Sequence, residues 1–270
     1  MSRGLVALLA FCATAAAAQE GDKELPRLPA PTLEAYRAEG RIDPPVWASL
    51  QLPASDGIQA KHEKLPKTLE LGFRAIPANA PDRPVIGNVE MQLLPLGSGF
   101  LLHRTKVGGE QTSTDSTELT WLGIIVLNSH RATGIQFRGT MTGTTDVATA
   151  AVSSIEKWGS TDLKLDQMKP GYRWQLEYAS GVETSSKASL VSRRNKVSVT
   201  RKQVCDVGEG GQAANLGPGL SGSFLKVACA SQSDPNVSIE YAYLEDYGYF
   251  LQVRSRNARA NTEYKLTSAK

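Results

Sequence analysis

Ser221 lies in the stretch Gly217-Pro218-Gly219-Leu220-Ser221-Gly222-Ser223, and Gly208, Gly210 and Gly211 precede it. Clustered glycines let a backbone approach an anion closely, so a phosphate cradle is the first chemistry to test. The stretch has no lysine and runs into Ser223-Phe224-Leu225-Lys226-Val227, which reads as strand rather than helix. It therefore reads as a loop. Cys205 and Cys229 flank it on predicted strands. With no Cys-x-x-Cys and no neighbouring histidine, they read as a disulfide rather than a redox or metal pair. Closing a loop of about 25 residues contributes on the order of 3–4 kcal/mol in the loop-entropy picture. The three histidines, His62, His103 and His130, are isolated and match no short-range ligand spacing. His62 falls among charges in Lys61-His62-Glu63-Lys64 and reads as solvated, and His103 follows Leu101-Leu102 as a partly buried strand residue. No metal or cofactor is implied.

The setting of Ser221 resembles the nucleophile turn of trypsin-like serine proteases, where glycines let backbone N–H groups point into an oxyanion hole. His130, in Val126-Leu127-Asn128-Ser129-His130, and Asp162, in Thr161-Asp162-Leu163, stand in that family's His–Asp–Ser order. Gly97-Ser98-Gly99-Phe100 resembles the strand that opens the barrel ahead of the histidine. The resemblance implies Ser221 as nucleophile, His130 as general base and Asp162 as its orienter. It covers about a dozen residues in four pieces. Ser223 replaces the usual second glycine, and Gly97 lies unusually far before the histidine. A secreted serine hydrolase is thus the alternative reading, and a hairpin loop with an exposed hydroxyl is the leading one.

Two further groupings could bind rather than react. Lys187, Arg193, Arg194, Lys196, Arg201 and Lys202 have no acidic residue among them. On a hairpin they would present a cationic tip to an anionic envelope polymer, or protect a strand edge by charge. Tyr241, Tyr243, Tyr247, Tyr249 and Phe250 could stack sugar rings. Because Glu245-Asp246-Tyr247-Gly248 reads as a turn, cross-strand core pairs suit them better.

The elements that must position these residues are mostly strands. Leu69, Leu71, Phe73 and Ala75 alternate with Glu70, Gly72 and Arg74, and Tyr172, Trp174, Leu176 and Tyr178 alternate with Arg173, Gln175 and Glu177. Other β-rich runs are Val85–Leu94, Gly99–Lys106, Glu118–Leu127, Gly134–Met141, Ser186–Ser192 and Lys196–Cys205, the last two divided at Arg193-Arg194-Asn195. Ser223–Ala230, Ser238–Leu244, Tyr249–Ser255 and Thr262–Thr267 complete the series. One body helix is expected at Asp146–Trp158, with Val147, Ala151, Ile155 and Trp158 on one face. The expected fold is mainly β, an antiparallel curved meander or sandwich.

Residues 19–66 hold seven of the fourteen prolines and read as a proline-rich arm with short helices, one over Thr32–Glu39 and one starting at Pro44 with Asp43 as N-cap. Residues 67–270 form the β-rich domain, with a possible subdomain boundary near 160. Residues 1–18 carry Arg3, an apolar run and an Ala16-x-Ala18 site, the pattern of a secretory signal. Later residues include no run long and apolar enough for a transmembrane segment.

A net charge of +3 on 270 residues is too small to imply nucleic acid, and export argues against it as well. The expectation is a periplasmic or extracellular, non-enzymatic envelope protein. Its unknown partner would be an apolar, glycan or anionic ligand, or another envelope protein.

Overall fold

The computed structural model describes residues 32–38, 42–50, 52, 57–108, 112–139, 143–188 and 191–270, with backbone alone for 112, 134–139, 143–148, 186–188 and 191–194. Twelve antiparallel strands follow one another around a closed barrel, each beside its sequence neighbour. They are β1 Thr68–Pro77, β2 Val85–Gly97, β3 Phe100–Gly108, β4 Thr112–Trp121, β5 Ile125–Gly139 and β6 Gly143–Thr161. The second half comprises β7 Arg173–Ala188, β8 Val191–Gln212, β9 Ser223–Ser231, β10 Ser238–Leu244, β11 Tyr249–Arg256 and β12 Ala260–Ala269. The expected meander is there, and β12 closes it on β1 from Leu69–Ala269 to Pro77–Ala260. The sheet runs on across residue 160, where β6 pairs with β7. Among the described residues, no helix is long and apolar enough to cross a membrane.

Among the described residues, three short helices precede the barrel: α1 Leu33–Ala38, α2 Pro44–Ser49 and α3 Ile58–His62. The first two match the expected helices, with Pro44 in the first turn after Asp43. Their buried residues Tyr36 and Val46, with Ile42 between them, join a core containing Trp121, Trp174 and Tyr241. His62 is buried on α3, not solvated: its Nε2 lies 3.5 Å from the Gly248 carbonyl.

Several local expectations are corrected. Residues 146–158 belong to β6, not to a helix. Ala151 and Ile155 are four apart, an even spacing that also puts them on one face of a strand. A register shift between Ile155 and Lys157 inserts Glu156 and lets Trp158 join Ile155 in the core. The run Glu118–Leu127 is two strands joined at Leu122-Gly123, where φ is 54° and 81°. Positive φ at both central positions is the geometry of a tight hairpin that ordinarily takes Asn-Gly. Leu122 holds it because its side chain is fully buried and its backbone is clamped, its N–H donating to Gly99 O and its carbonyl accepting from Phe250 N. Arg193-Arg194-Asn195 lies within β8, and the β7–β8 hairpin continues to the Ala188–Val191 pair. Gly97-Ser98-Gly99 is the β2–β3 turn.

Pairing lapses in two places at the end of the barrel that holds the Leu122-Gly123 turn. The β5–β6 register stops at Asn128–Ser154. There Tyr36 OH donates to Asn128 Oδ1 at 2.8 Å, and Asn128 Nδ2 donates to Ser153 O at 3.0 Å, so α1 is tied beside the gap. The β11–β12 register has only three pairs, Arg254–Glu263, Ser255–Thr262 and Arg256–Asn261, leaving Tyr249–Val253 out of register with β12. With these two partings, strands bury both faces in two separate cores. Tyr241, Tyr243 and Phe250 enter one core, whereas Ala242, Leu244, Tyr249 and Leu251 enter the other with Leu71, Leu93 and Leu101.

Candidate functional site

A cleft opens where β11 parts from β12. Its floor is the face of β8–β11 opposite Trp174, Cys205 and Cys229. Pairing aligns Gly208, Lys226, Ala242 and Leu251 in one row across it, and Asp206, Ala228, Glu240 and Arg254 in the next. Phe224 and Val253 extend the apolar floor, Tyr264, Leu266 and Leu71 form one wall, and Asn215 and Leu216 of the β8–β9 connection form another. The cavity measures about 500 Å³. That lies within the range of small-ligand pockets, which are mostly apolar with a few placed polar groups.

Gly217 keeps the β8–β9 connection against β12. A β-carbon there would sit 2.6 Å from the Leu266 carbonyl oxygen, so only glycine permits this approach. The glycines that suggested a phosphate cradle thus shape one wall of an apolar cleft.

The polar rim is asymmetric. Asp206 Oδ1 lies 3.2 Å from Arg173 Nε, and Glu240 Oε1 lies 3.3 Å from Arg254 Nη1, so both carboxylates at the cleft are already paired. Lys226 and Lys265 are exposed at its edge and make no ion pair among the described residues.

Ser221, His130 and Asp162 are held by different partners. Ser221 Oγ lies 3.0 Å from Tyr247 OH, and the Ser221 N–H donates to the same oxygen at 3.1 Å. His130 is exposed in β5 between Thr117 of β4 and Val152 of β6. Asp162 follows β6 and accepts the Gln175 N–H through Oδ1, while its carbonyl accepts from Tyr172 OH at 2.8 Å. Among the described residues, no hydrogen bond joins any two of the three.

Cys205 and Cys229 are direct cross-strand partners in β8 and β9 and form a disulfide with Cα atoms 4.0 Å apart. Of the basic run, Lys196 pairs with Glu156 and Lys202 with Glu177, each at 3.0 Å, and Arg201 is exposed. Lys187, Arg193 and Arg194 lie in the hairpin backbone, their side chains outside the described residues.

Tyr243 and Phe250 face each other across β10–β11 with ring centroids 4.6 Å apart, and Tyr241 meets Phe250 edge-on at 6.2 Å. All five residues of the aromatic group are buried. Burial pushes the Tyr243 phenol up to about 12 and raises Tyr241 and Tyr249 further. His103 is buried beside Thr120 Oγ1 at 3.2 Å and edge-on to Tyr249, and loss of solvation lowers its pKa to about 4. Among the described residues, no three His, Cys, Asp or Glu gather as a metal site.

Sequence reasoning missed the cleft. Its residues come from β1, from β8 through β12 and from the β8–β9 connection, and only the departure of β11 from β12 joins them. No protein family, curated protein or solved structure matches the chain.

Proposed function

We propose that this chain is an exported envelope protein that binds an apolar ligand in the cleft between β11 and β12. The observation that carries the reading is the cavity of about 500 Å³ with Phe224, Ala242, Leu251, Val253 and Leu266 at its surface. Burying such a surface under a ligand is favourable at roughly 25 cal/mol per Å² of apolar area, before the costs of association. Export is supported by the signal-like first eighteen residues and by the disulfide, which persists in oxidising compartments.

The test uses a neutral apolar dye, N-phenyl-1-naphthylamine, whose fluorescence rises when it leaves water. The wild-type protein should bind it saturably. Ala228→Trp and Val253→Trp place an indole in the cleft from β9 and from β11 and should each abolish the enhancement while retaining the native near-UV circular dichroism. Unchanged dye binding in both folded variants would reject this cleft as the site.

A further inference from the structure

The rim of the cleft defines the ligand more closely than its floor does. Two carboxylates line it, and each already has a guanidinium partner: Asp206 has Arg173 and Glu240 has Arg254. Two lysines are among its lining residues, Lys226 from β9 and Lys265 from β12, and neither has an anionic partner among the described residues. They lie on the two sides of the parting, Lys226 in the floor row and Lys265 on β12 between the wall residues Tyr264 and Leu266. Arg254 is shared by Glu240 and Glu263, so four cationic residues stand against three carboxylates at the mouth and the net charge there is positive.

We infer that the occupant is a single-chain anionic amphiphile, a long-chain carboxylate, with its chain in the cleft and its head group between Lys226 and Lys265. This rests on the cleft being a ligand site. A cavity of about 500 Å³ holds roughly 16 non-hydrogen atoms at the ~30 Å³ that a water occupies in the liquid. A carboxylate with a chain of about 12–14 carbons matches that volume. The lysines are exposed, so the head contributes discrimination more than affinity, and salt should weaken it. A cationic head of equal chain length would meet a mouth of net positive charge.

The experiment displaces N-phenyl-1-naphthylamine from the full-length mature protein with dodecanoate, dodecan-1-ol or dodecylammonium, each below its aggregation concentration. Dodecanoate should displace the dye at roughly five- to tenfold lower concentration than dodecylammonium, with the alcohol between them and the gap narrowing at high salt. The double variant Lys226→Glu/Lys265→Glu should still bind the dye, and its order of heads should reverse. Equal displacement by all three heads, or an unchanged order in the double variant, would overturn the anionic assignment while leaving the cleft a binding site. Failure of the wild-type protein to bind the dye, with no heat of binding for any of the three amphiphiles, would overturn both.

Discussion

Arg254 on β11 and Glu263 on β12 are paired residues at the short seam that closes the barrel, and Arg254 Nη2 donates to Glu263 Oε1 at 2.8 Å. The other guanidinium nitrogen reaches Glu240 of β10 at 3.3 Å, so one arginine spans three strands directly beside the cleft. Both neighbouring carboxylates raise the Arg254 pKa, Glu240 the more strongly. The groups are nearly half exposed, and each such pair contributes only a few tenths of a kcal/mol after screening. Arg254→Ala should therefore lower global stability only slightly. Its larger effect should be local, in faster amide hydrogen exchange at Ser255 and Arg256 relative to β7 and β8. Exchange at the seam equal to that of the wild-type protein would show that backbone pairing alone holds it.

Leu122 and Gly123 give the clearest conflict between local preference and tertiary packing. A tight turn with positive φ at both central residues favours Asn at the first of them, so in an isolated peptide Leu122→Asn would strengthen the turn. In the protein Leu122 is fully buried, and the polar amide would replace an apolar side chain in the core. Leu122→Asn should destabilise by about 2–4 kcal/mol, read from the urea midpoint at constant slope. A gain in stability would mean that local turn energy outweighs packing here.

The same contrast explains what could be read from the sequence. Ser238–Leu244 coincides with β10 because a short β-rich run with Ile239, Tyr241 and Tyr243 leads straight into the Glu245–Gly248 turn, which marks its end. The disulfide was legible from the compartment and from the absence of competing cysteine chemistry. The β4–β5 turn was hidden because Leu122 is not a turn former. The β6 strand looked helical because inserted residues disturb its period of two. The cleft depends on where two strands stop pairing. That register is set by long-range packing of Tyr249 and Leu251 against β1–β3, for which no local sequence pattern exists.

For Ser221, the geometry predicts a modest structural part. Its hydroxyl and its N–H both meet Tyr247 OH, fastening the β8–β9 connection to the β10–β11 turn. Ser221→Ala keeps the N–H bond and removes one part-buried neutral hydrogen bond, at a cost under about 1 kcal/mol. A fluorophosphonate probe should leave Ser221 unlabelled, because no histidine bonds to its hydroxyl. Stoichiometric labelling that is lost in Ser221→Ala and in His130→Ala would restore the hydrolase reading.

Cys205 and Cys229 are both buried, and their strands flank the connection that walls the cleft. Reductant alone should leave the bond intact, whereas reductant with denaturant should open it, as thiol-trapping mass spectrometry would show. Replacing both by alanine should cost on the order of 3–4 kcal/mol through loss of the constraint on the unfolded chain. A far smaller loss would indicate that the unfolded chain keeps β8 and β9 together without the bond.

His103 sets the expected response to acid. Buried against Thr120 and Tyr249, it remains neutral until its folded pKa of about 4, while in the unfolded chain it titrates near its ordinary 6.5. Between those values the unfolded state binds the extra proton, so stability falls as pH drops from about 6.5 to 4 and is fully present above that window. The difference amounts to about 3 kcal/mol at the lower limit, at 1.36 kcal/mol per pKa unit. His62 is also shifted downward by burial and acts in the same direction. Thermal melts across this range should show a steep decline that is shallower in His103→Gln, whose amide can still reach Thr120 without titrating. An identical decline in that variant would place the acid sensitivity at His62 or the carboxylates instead.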